Sequence, residues 1–332
     1  MNTRRLGATG PLVSQVGLGC MAMSGIYGPT EDDESVCTIQ EAIDQGINLL
    51  DTGDFYGMGQ NEMLIGRAIQ GRREKVLLSV KFGGMRTPSG MFTGVDTRPA
   101  AVKNFAAYSL RRLRVDYIDI YRPARLDPAV PIEETIGAIA ELVKEGYVRH
   151  VGLSEVSVET ARRASAVHPI VDLQIEYSLV TRGIEQLILP GLRELRIGVT
   201  AYGVLSRGLL SGSKPSAPND FRAHFPRFVG ENLQRNTRLV ETLERIAREH
   251  NVTGTQLAIA WVLHQGGDIV PLLGSRTREQ LREAMGALRI NLSPEELGRV
   301  AAAVPAESVA GTRYDSRQMA MLDSERAARA TP

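Results

Sequence analysis

Residues 117–154 read YIDIYRPARLDPAVPIEETIGAIAELVKEGYVRHVGLS, and the alternation inside this stretch decides the architecture. It opens on YIDIY (117–121), a short run dominated by Tyr and Ile, and closes on a second apolar run, VRHVGLS (148–154). Between them IEETIGAIAELVKEG puts Ile132, Ile136, Ile139, Ala140 and Val143 on one helical face, and Gly146 supplies the stop. Short strands, apolar almost throughout, alternating with helices are the signature of a parallel sheet covered by helices.

The same rhythm extends outward in both directions. Further runs lie at 13–20 (VSQVGLGC), 47–52 (INLLDT), 76–82 (VLLSVKF), 171–178 (VDLQIEYS), 198–205 (GVTAYGVL) and 268–275 (DIVPLLGS), which makes eight candidate strands. Thr97 before Arg98-Pro99 marks another helix start. Eight βα units in 332 residues predict an α/β chain forming a single-domain (β/α)8 TIM barrel over 1–332. The rival, a doubly wound open sheet, calls for a G-x-G-x-x-G turn after its first strand, and GLGCMAMSG offers only G-x-G. Two stretches exceed the minimal barrel, a loop at 206–230 and a C-terminal tail at 306–332, and long loops of this kind act as lids or binding segments.

Composition narrows the function. A net charge of +1 with 23% charged residues gives no basic excess for nucleic acid or a membrane surface. The chain carries no secretory signal pattern and no apolar run of spanning length, so a cytoplasmic location is expected. Cys20 and Cys37 are read as buried thiols, and five scattered histidines lack ligand spacing, so no metal is expected. The partner implied is a small molecule; the sequence assigns no oligomeric state.

In a barrel of this kind the chemistry sits at the C-terminal strand ends. The second strand ends in DTGDFYGMGQNE, with Asp51 at the mouth and Tyr56 in the following loop, and the third puts Lys81 at the next mouth. Neighbouring strands run about 4.8 Å apart, so Asp51 and Lys81 can touch with Tyr56 over both. The plain alternative is a structural ion pair. With Tyr56 added, an ammonium beside a phenol is expected to lower its pKa from about 10 and make it a proton donor near neutral pH.

DTGDFYGMGQNEMLIG (51–66) resembles the aldo-keto reductase signature D-T-A-x-x-Y-G-x-G-x-x-E-x-x-x-G, and LSVKFG resembles that family's lysine strand. The likeness, nearest to the potassium-channel β-subunit-like branch, runs from RRLGATGPLVSQVGLGCM through VPIEETIGAIAELVKEGYVRHVGLSE to IVPLLGSRTREQLREAMGAL. It implies an NADP(H)-dependent reductase that turns aldehyde or ketone carbonyls into alcohols by hydride transfer. Asp51, Tyr56 and Lys81 match catalytic positions: Tyr56 protonates the developing alkoxide, Lys81 tunes Tyr56 and Asp51 holds Lys81. For the cofactor it implies Gly19 and Met21 at the first strand end, Ser154 and Gln174 on the nicotinamide carboxamide, and Tyr202 against the ring. It further implies Ser275, Arg276, Gln280 and Glu283 at the adenosine end. Arg276 with Arg278 is expected to face a 2′-phosphate, favouring NADP over NAD. Arg222 and Arg227 are either closing groups over the pyrophosphate or solvated loop cations.

Several positions depart from the family pattern. Glu155 stands where many relatives have Asn, Gly203-Val204 replaces Ser-Pro, and Ala284 replaces an adenine-contacting Asn. Relatives reading much like YYQHRVDP place a catalytic histidine where YRPARLDP has Ala124. Strand alternation puts Arg122 on the barrel side beneath Ala124 and Arg125 opposite, with Glu176 and Glu155 as expected partners of Arg122. Met21, Met23, Tyr27, Phe55, Met85 and Tyr314 are candidate pocket walls. A nucleotide-binding regulatory protein with weak turnover, or an aldolase-like barrel using Lys81 as a Schiff-base nucleophile, are the alternative readings.

Overall fold

The computed structural model describes residues 1–215 and 220–325, so 216–219 of the long loop and 326–332 of the tail lie outside the described residues. Eight parallel strands close a barrel in chain order: β1 (Gly17–Gly19), β2 (Leu49–Gly53), β3 (Leu77–Phe82), β4 (Ile118–Pro123), β5 (Val148–Ser154), β6 (Ile170–Glu176), β7 (Gly198–Tyr202) and β8 (Ile269–Gly274). The run at 13–20 is not one strand. Its first half, Leu12–Ser14, pairs antiparallel with Thr3–Arg5 in an N-terminal hairpin, and only Gly17–Gly19 enters the barrel.

That hairpin seals the floor. Leu6 and Val13, both fully buried, pack with Leu49, Ile120, Val171, Val270 and Leu272 inside the barrel. The larger core lies between the strands and the surrounding helices. On β4, Tyr121 points outward, stacks on Phe82 with ring centroids 4.3 Å apart and donates to the Val102 carbonyl.

The helix after β4, Ile132–Lys144, buries Ile132, Thr135, Ile136, Ala138, Ile139 and Leu142. The buried stripe thus runs through Leu142 rather than the expected Val143, which is half-buried, as is Ala140. Glu133 and Glu134 in the first turn and Lys144 in the last complement the helix dipole. Gly146, at φ 87°, reverses the chain into β5 in a conformation a side chain resists. The helix start at Arg98-Pro99 holds as read, with Pro99 in the first turn of Pro99–Leu113.

Three segments rise over the C-terminal strand ends: a hairpin of Gly84–Arg86 and Phe92–Val95, the loop after β7, and the stretch from Arg313 to Glu325. The hairpin leaves little trace in the sequence, because its strands, GMR and FTGV, are only 3 and 4 residues long and carry no alternating apolar pattern. No helix among the described residues is long and apolar enough to cross a membrane.

Candidate active site

The strand pairing sets the site. Asp51 lies opposite Ser79, Gly53 opposite Lys81, and Lys81 opposite Arg122, so three neighbouring strands deliver their charged residues to one sector of the barrel interior. Asp51 and Lys81 are each 4% exposed, and Nζ of Lys81 donates to Asp51 Oδ1 at 2.6 Å and to the Thr52 carbonyl at 3.0 Å. The other Asp51 oxygen accepts from Ser79 Oγ at 2.9 Å and from Gln174 Nε2 at 2.6 Å. Both carboxylate oxygens are therefore bonded, which is what a buried anion requires.

Tyr56 sits just beyond β2 on a turn with Gly57 and Met58 both at φ 54° and Gly59 at φ 96°. Gly59 takes a left-handed backbone conformation that a side chain resists, and a Cβ there would also have to displace the Arg112 guanidinium, 2.7 Å away. The Lys81 ammonium lies 5.0 Å from the Tyr56 ring centroid. Yet the phenol pKa is raised well above its ordinary value, first by burial and then by the Asp51 charge. The expected lowering by Lys81 is thus overturned in the free protein, because Asp51 neutralises the ammonium and burial dominates. Burial likewise lowers the Lys81 pKa, opposed by Asp51.

These groups open into a cavity of about 960 Å³, at the upper end of ligand-pocket sizes. Gly19, Met21, Ser154, Gln174, Tyr202, Ser275, Arg276, Gln280, Glu283 and Ala284 all line it. Ser154 Oγ is buried with no hydrogen-bond partner. Arg276 donates to the Tyr27 carbonyl at 3.0 Å and pairs with no carboxylate among the described residues. Arg278 does not face the cavity as expected; it is bound to Glu34 on Asp32–Asp44 at 2.8 Å. Tyr27, Phe55 and Tyr314 join the wall, whereas Met23 is core and the exposed Met85 gives its place to Met91 and Phe92. Cys20 is buried and Cys37 only half-buried.

The arginine assignments change most. Arg122, fully buried, bonds Asp172 Oδ1 at 3.0 Å, not Glu176 or Glu155. Its Nε and Nη1 have no partner, and Asp172 also accepts from Thr200 Oγ1. Room for this pair comes from Gly152, where a Cβ would stand 2.6 Å from Asp172 Oδ1 and 2.9 Å from Arg122 Nε. Arg125 does not point away from the barrel: β4 ends at Pro123, alternation ends with it, and Arg125 lines the cavity beside Ala124. Glu155, at φ 55°, is instead gripped by Arg313, with bonds of 2.7 and 2.6 Å, and accepts from Tyr202 at 2.7 Å. Burial would raise the Glu155 pKa, but Arg313 overrides it and holds the group down to about 2. Glu176 is shared by Arg207 at 3.1 Å and Arg227 at 3.4 Å. Arg222 is buried on Asp220 at 2.7 Å, so neither it nor Arg227 is a solvated loop cation; Arg222 borders the cavity and Arg227 pins the loop behind it.

A closed eight-stranded barrel with an Asp–Lys pair, a half-buried tyrosine and a large cavity at the C-terminal strand ends fits an oxidoreductase, and comparison with known proteins assigns the family. Residues 15–305 match the aldo/keto reductase family, and the chain belongs to it. It is 42% identical over 316 residues to a protein named probable aldo-keto reductase 1 from Glycine max, covering 93% of this chain and 91% of that one. The solved glycerol dehydrogenase AKR11B4 from Gluconobacter oxydans superimposes with a TM-score of 0.83 at 31% identity, over 92% of this chain and 96% of that one. An aldo/keto reductase from Klebsiella pneumoniae, in complex with NADP and acetate, gives a TM-score of 0.73 at 25% identity, over 95% and 99%.

Proposed function

We propose that the protein is an NADP(H)-dependent reductase of aldehydes or ketones in which Tyr56 donates the proton. The observation carrying this reading is the Tyr56–Lys81–Asp51 cluster, with its 2.6 Å ion pair, at the base of the cavity. The NADP complex of the Klebsiella pneumoniae relative supports the choice of cofactor.

The lining residues fit the cofactor. The unpartnered Ser154 hydroxyl and the Gln174 amide would hold a carboxamide, and Tyr202 would flank the ring. Arg276, with no carboxylate partner, would take a phosphate, with Ser275, Gln280 and Glu283 around the adenosine. When bound, NADPH supplies the hydride for the carbonyl carbon.

The remaining work falls to the chain. Burial keeps the proton on Tyr56 through neutral pH, so the resting phenol is loaded for donation to an oxygen acquiring charge. Lys81, fixed beside the ring, stabilises the phenolate that donation leaves. Asp51, bonded by three donors, keeps the ammonium in place.

The test is to mix purified protein with NADPH and a panel of aldehydes and follow loss of reduced-nicotinamide absorbance. Turnover is expected, falling by about 10²-fold or more in Tyr56→Phe. Identical rates in the two proteins would overturn the reading.

A further inference from the structure

The arginines around the cavity divide into two kinds. Arg207 and Arg222 each hold a carboxylate, Glu176 and Asp220, at 3.1 and 2.7 Å. Arg86 and Arg125 hold none among the described residues, and neither do Arg276, assigned above to a phosphate, and the exposed Arg317. Arg86 donates from Nε to the Phe55 carbonyl at 3.1 Å and from Nη1 to the Gly90 carbonyl at 2.5 Å. Arg125 donates from Nη1 to its neighbour's carbonyl, on Ala124, at 2.6 Å, and reaches the Tyr314 hydroxyl at 3.4 Å. Most N–H donors of both guanidinium groups are left unused, and both are half-buried in the cavity wall.

Their position matters as much as their freedom. Arg86 follows β3 and Arg125 follows β4, adjacent strands whose ends pair Phe82 with Pro123. Arg276 follows β8 and Arg207 follows β7, across the closed barrel from them. The free pair therefore borders the Tyr56 side of the mouth, away from the proposed phosphate end. Burial lowers the Arg86 pKa against the pull of Tyr56, while burial raises that of Tyr56 against the pull of Arg125. Both cations are thus in electrostatic reach of the hydroxyl. Phe55, Met91 and Phe92 supply apolar wall on the same side. A partly desolvated guanidinium with carbonyl and hydroxyl partners but no carboxylate among the described residues keeps donors free for a ligand anion, and its planar fork suits a carboxylate.

We propose that Arg86 and Arg125 form a carboxylate-binding subsite, and that the preferred substrates are oxo-acids carrying a carboxylate beyond the carbonyl that Tyr56 protonates. The substrate class rests on the reductase reading above; the anion subsite does not. The carbonyl end lies at Tyr56, the carbon skeleton against Phe55 and Phe92, and the carboxylate between the two arginines.

Two measurements test it separately. In turnover with NADPH, kcat/KM for 4-carboxybenzaldehyde is expected to exceed that for methyl 4-formylbenzoate by about tenfold or more, the scale of one charge-assisted hydrogen bond. That ratio falls toward one in Arg86→Met and in Arg125→Met, chiefly through KM, and is partly restored in Arg125→Lys. In calorimetry with NADP⁺-saturated protein, benzoate is expected to bind about tenfold tighter than benzamide, with the difference lost in both Met variants. Turnover with no preference for the acid, or a preference unmoved in either Met variant, overturns the subsite while leaving the reductase reading intact. Arginine-dependent benzoate binding without turnover of any aldehyde upholds the subsite and overturns the reductase reading. Tighter binding of inorganic phosphate than of benzoate to the NADP⁺-saturated protein would overturn the assignment to a carboxylate.

Discussion

Two buried ion pairs stand side by side in this barrel, and they are built to opposite standards. Lys81–Asp51 has every carboxylate oxygen bonded, by Lys81, Ser79 and Gln174. Arg122–Asp172 joins β4, next to the Lys81 strand, to β6; both Asp172 oxygens are bonded, by Arg122 and Thr200, but the Arg122 Nε and Nη1 have no partner among the described residues at full burial. The first pair is held in one geometry and faces the cavity; the second costs desolvation, and its guanidinium is held by a single 3.0 Å bond. Completeness of the cation's bonding, more than burial, separates the two pairs.

The comparison breaks most visibly at Lys81. Lys81→Met is expected to lower kcat by about 10²- to 10⁴-fold in the aldehyde assay; a loss below tenfold would mean that the well-bonded pair is only structural. The poorer pair should answer in stability instead. Asp172→Ala strands Arg122 and is expected to cost about 3–5 kcal/mol in urea unfolding, whereas the double variant Arg122→Met with Asp172→Leu is expected to be neutral or more stable. A double variant as damaged as the single one would show that the pair is better compensated than its bonds indicate.

Ala124 lies just beyond Arg122 in sequence, where the family resemblance implies a histidine. Ala124→His is expected to raise carbonyl reduction by about tenfold, part of the 10²–10³ that one positioned donor contributes. No change, or a fall, would mean that the pocket is organised around Arg125 rather than awaiting an imidazole.

The smallest expected effect concerns a third buried charge of the incomplete kind. Asp54 accepts from the Gly83 amide at 3.2 Å through one oxygen, while the other has no partner. Burial, with Glu62 nearby, pushes its pKa up to about 7. The folded state therefore binds this proton more tightly than the unfolded chain does, and its contribution to stability is lost as pH rises from about 4 to about 7. A thermal midpoint that declines across that window, with a shallower slope in Asp54→Asn, is the expected record.

How far the sequence carried the reading follows from the same physics. The strands were legible because they are continuous apolar runs, and the contact of Asp51 with Lys81 was legible because adjacent strands share a register. Arg122 needed more than parity. Asp172 and Glu176 share a face of β6, and choosing between them depends on barrel stagger and on Gly152 opening the space, neither of which is written locally. The direction of the Tyr56 pKa does not follow from sequence, because a nearby ammonium can be read from spacing and the desolvation of the phenol in the cavity wall cannot. Arg313 reaching Glu155 across 158 residues left no local signal at all.

That last contact bears on how the pocket can be re-engineered or can diverge. Tyr314 and its neighbours look like a replaceable module, since they add wall to the cavity without contributing a barrel strand. Arg313 makes them less portable. A tail transplanted from a relative that has Asn at position 155 would arrive without a cation for Glu155, leaving its carboxylate in a dry site with only hydroxyl and amide donors. The tail can therefore be exchanged only together with position 155, so that a chimera exchanging the tail alone is expected to fail where one exchanging both succeeds. Arg313 keeps Glu325 at 2.9 Å when Glu155 alone is replaced.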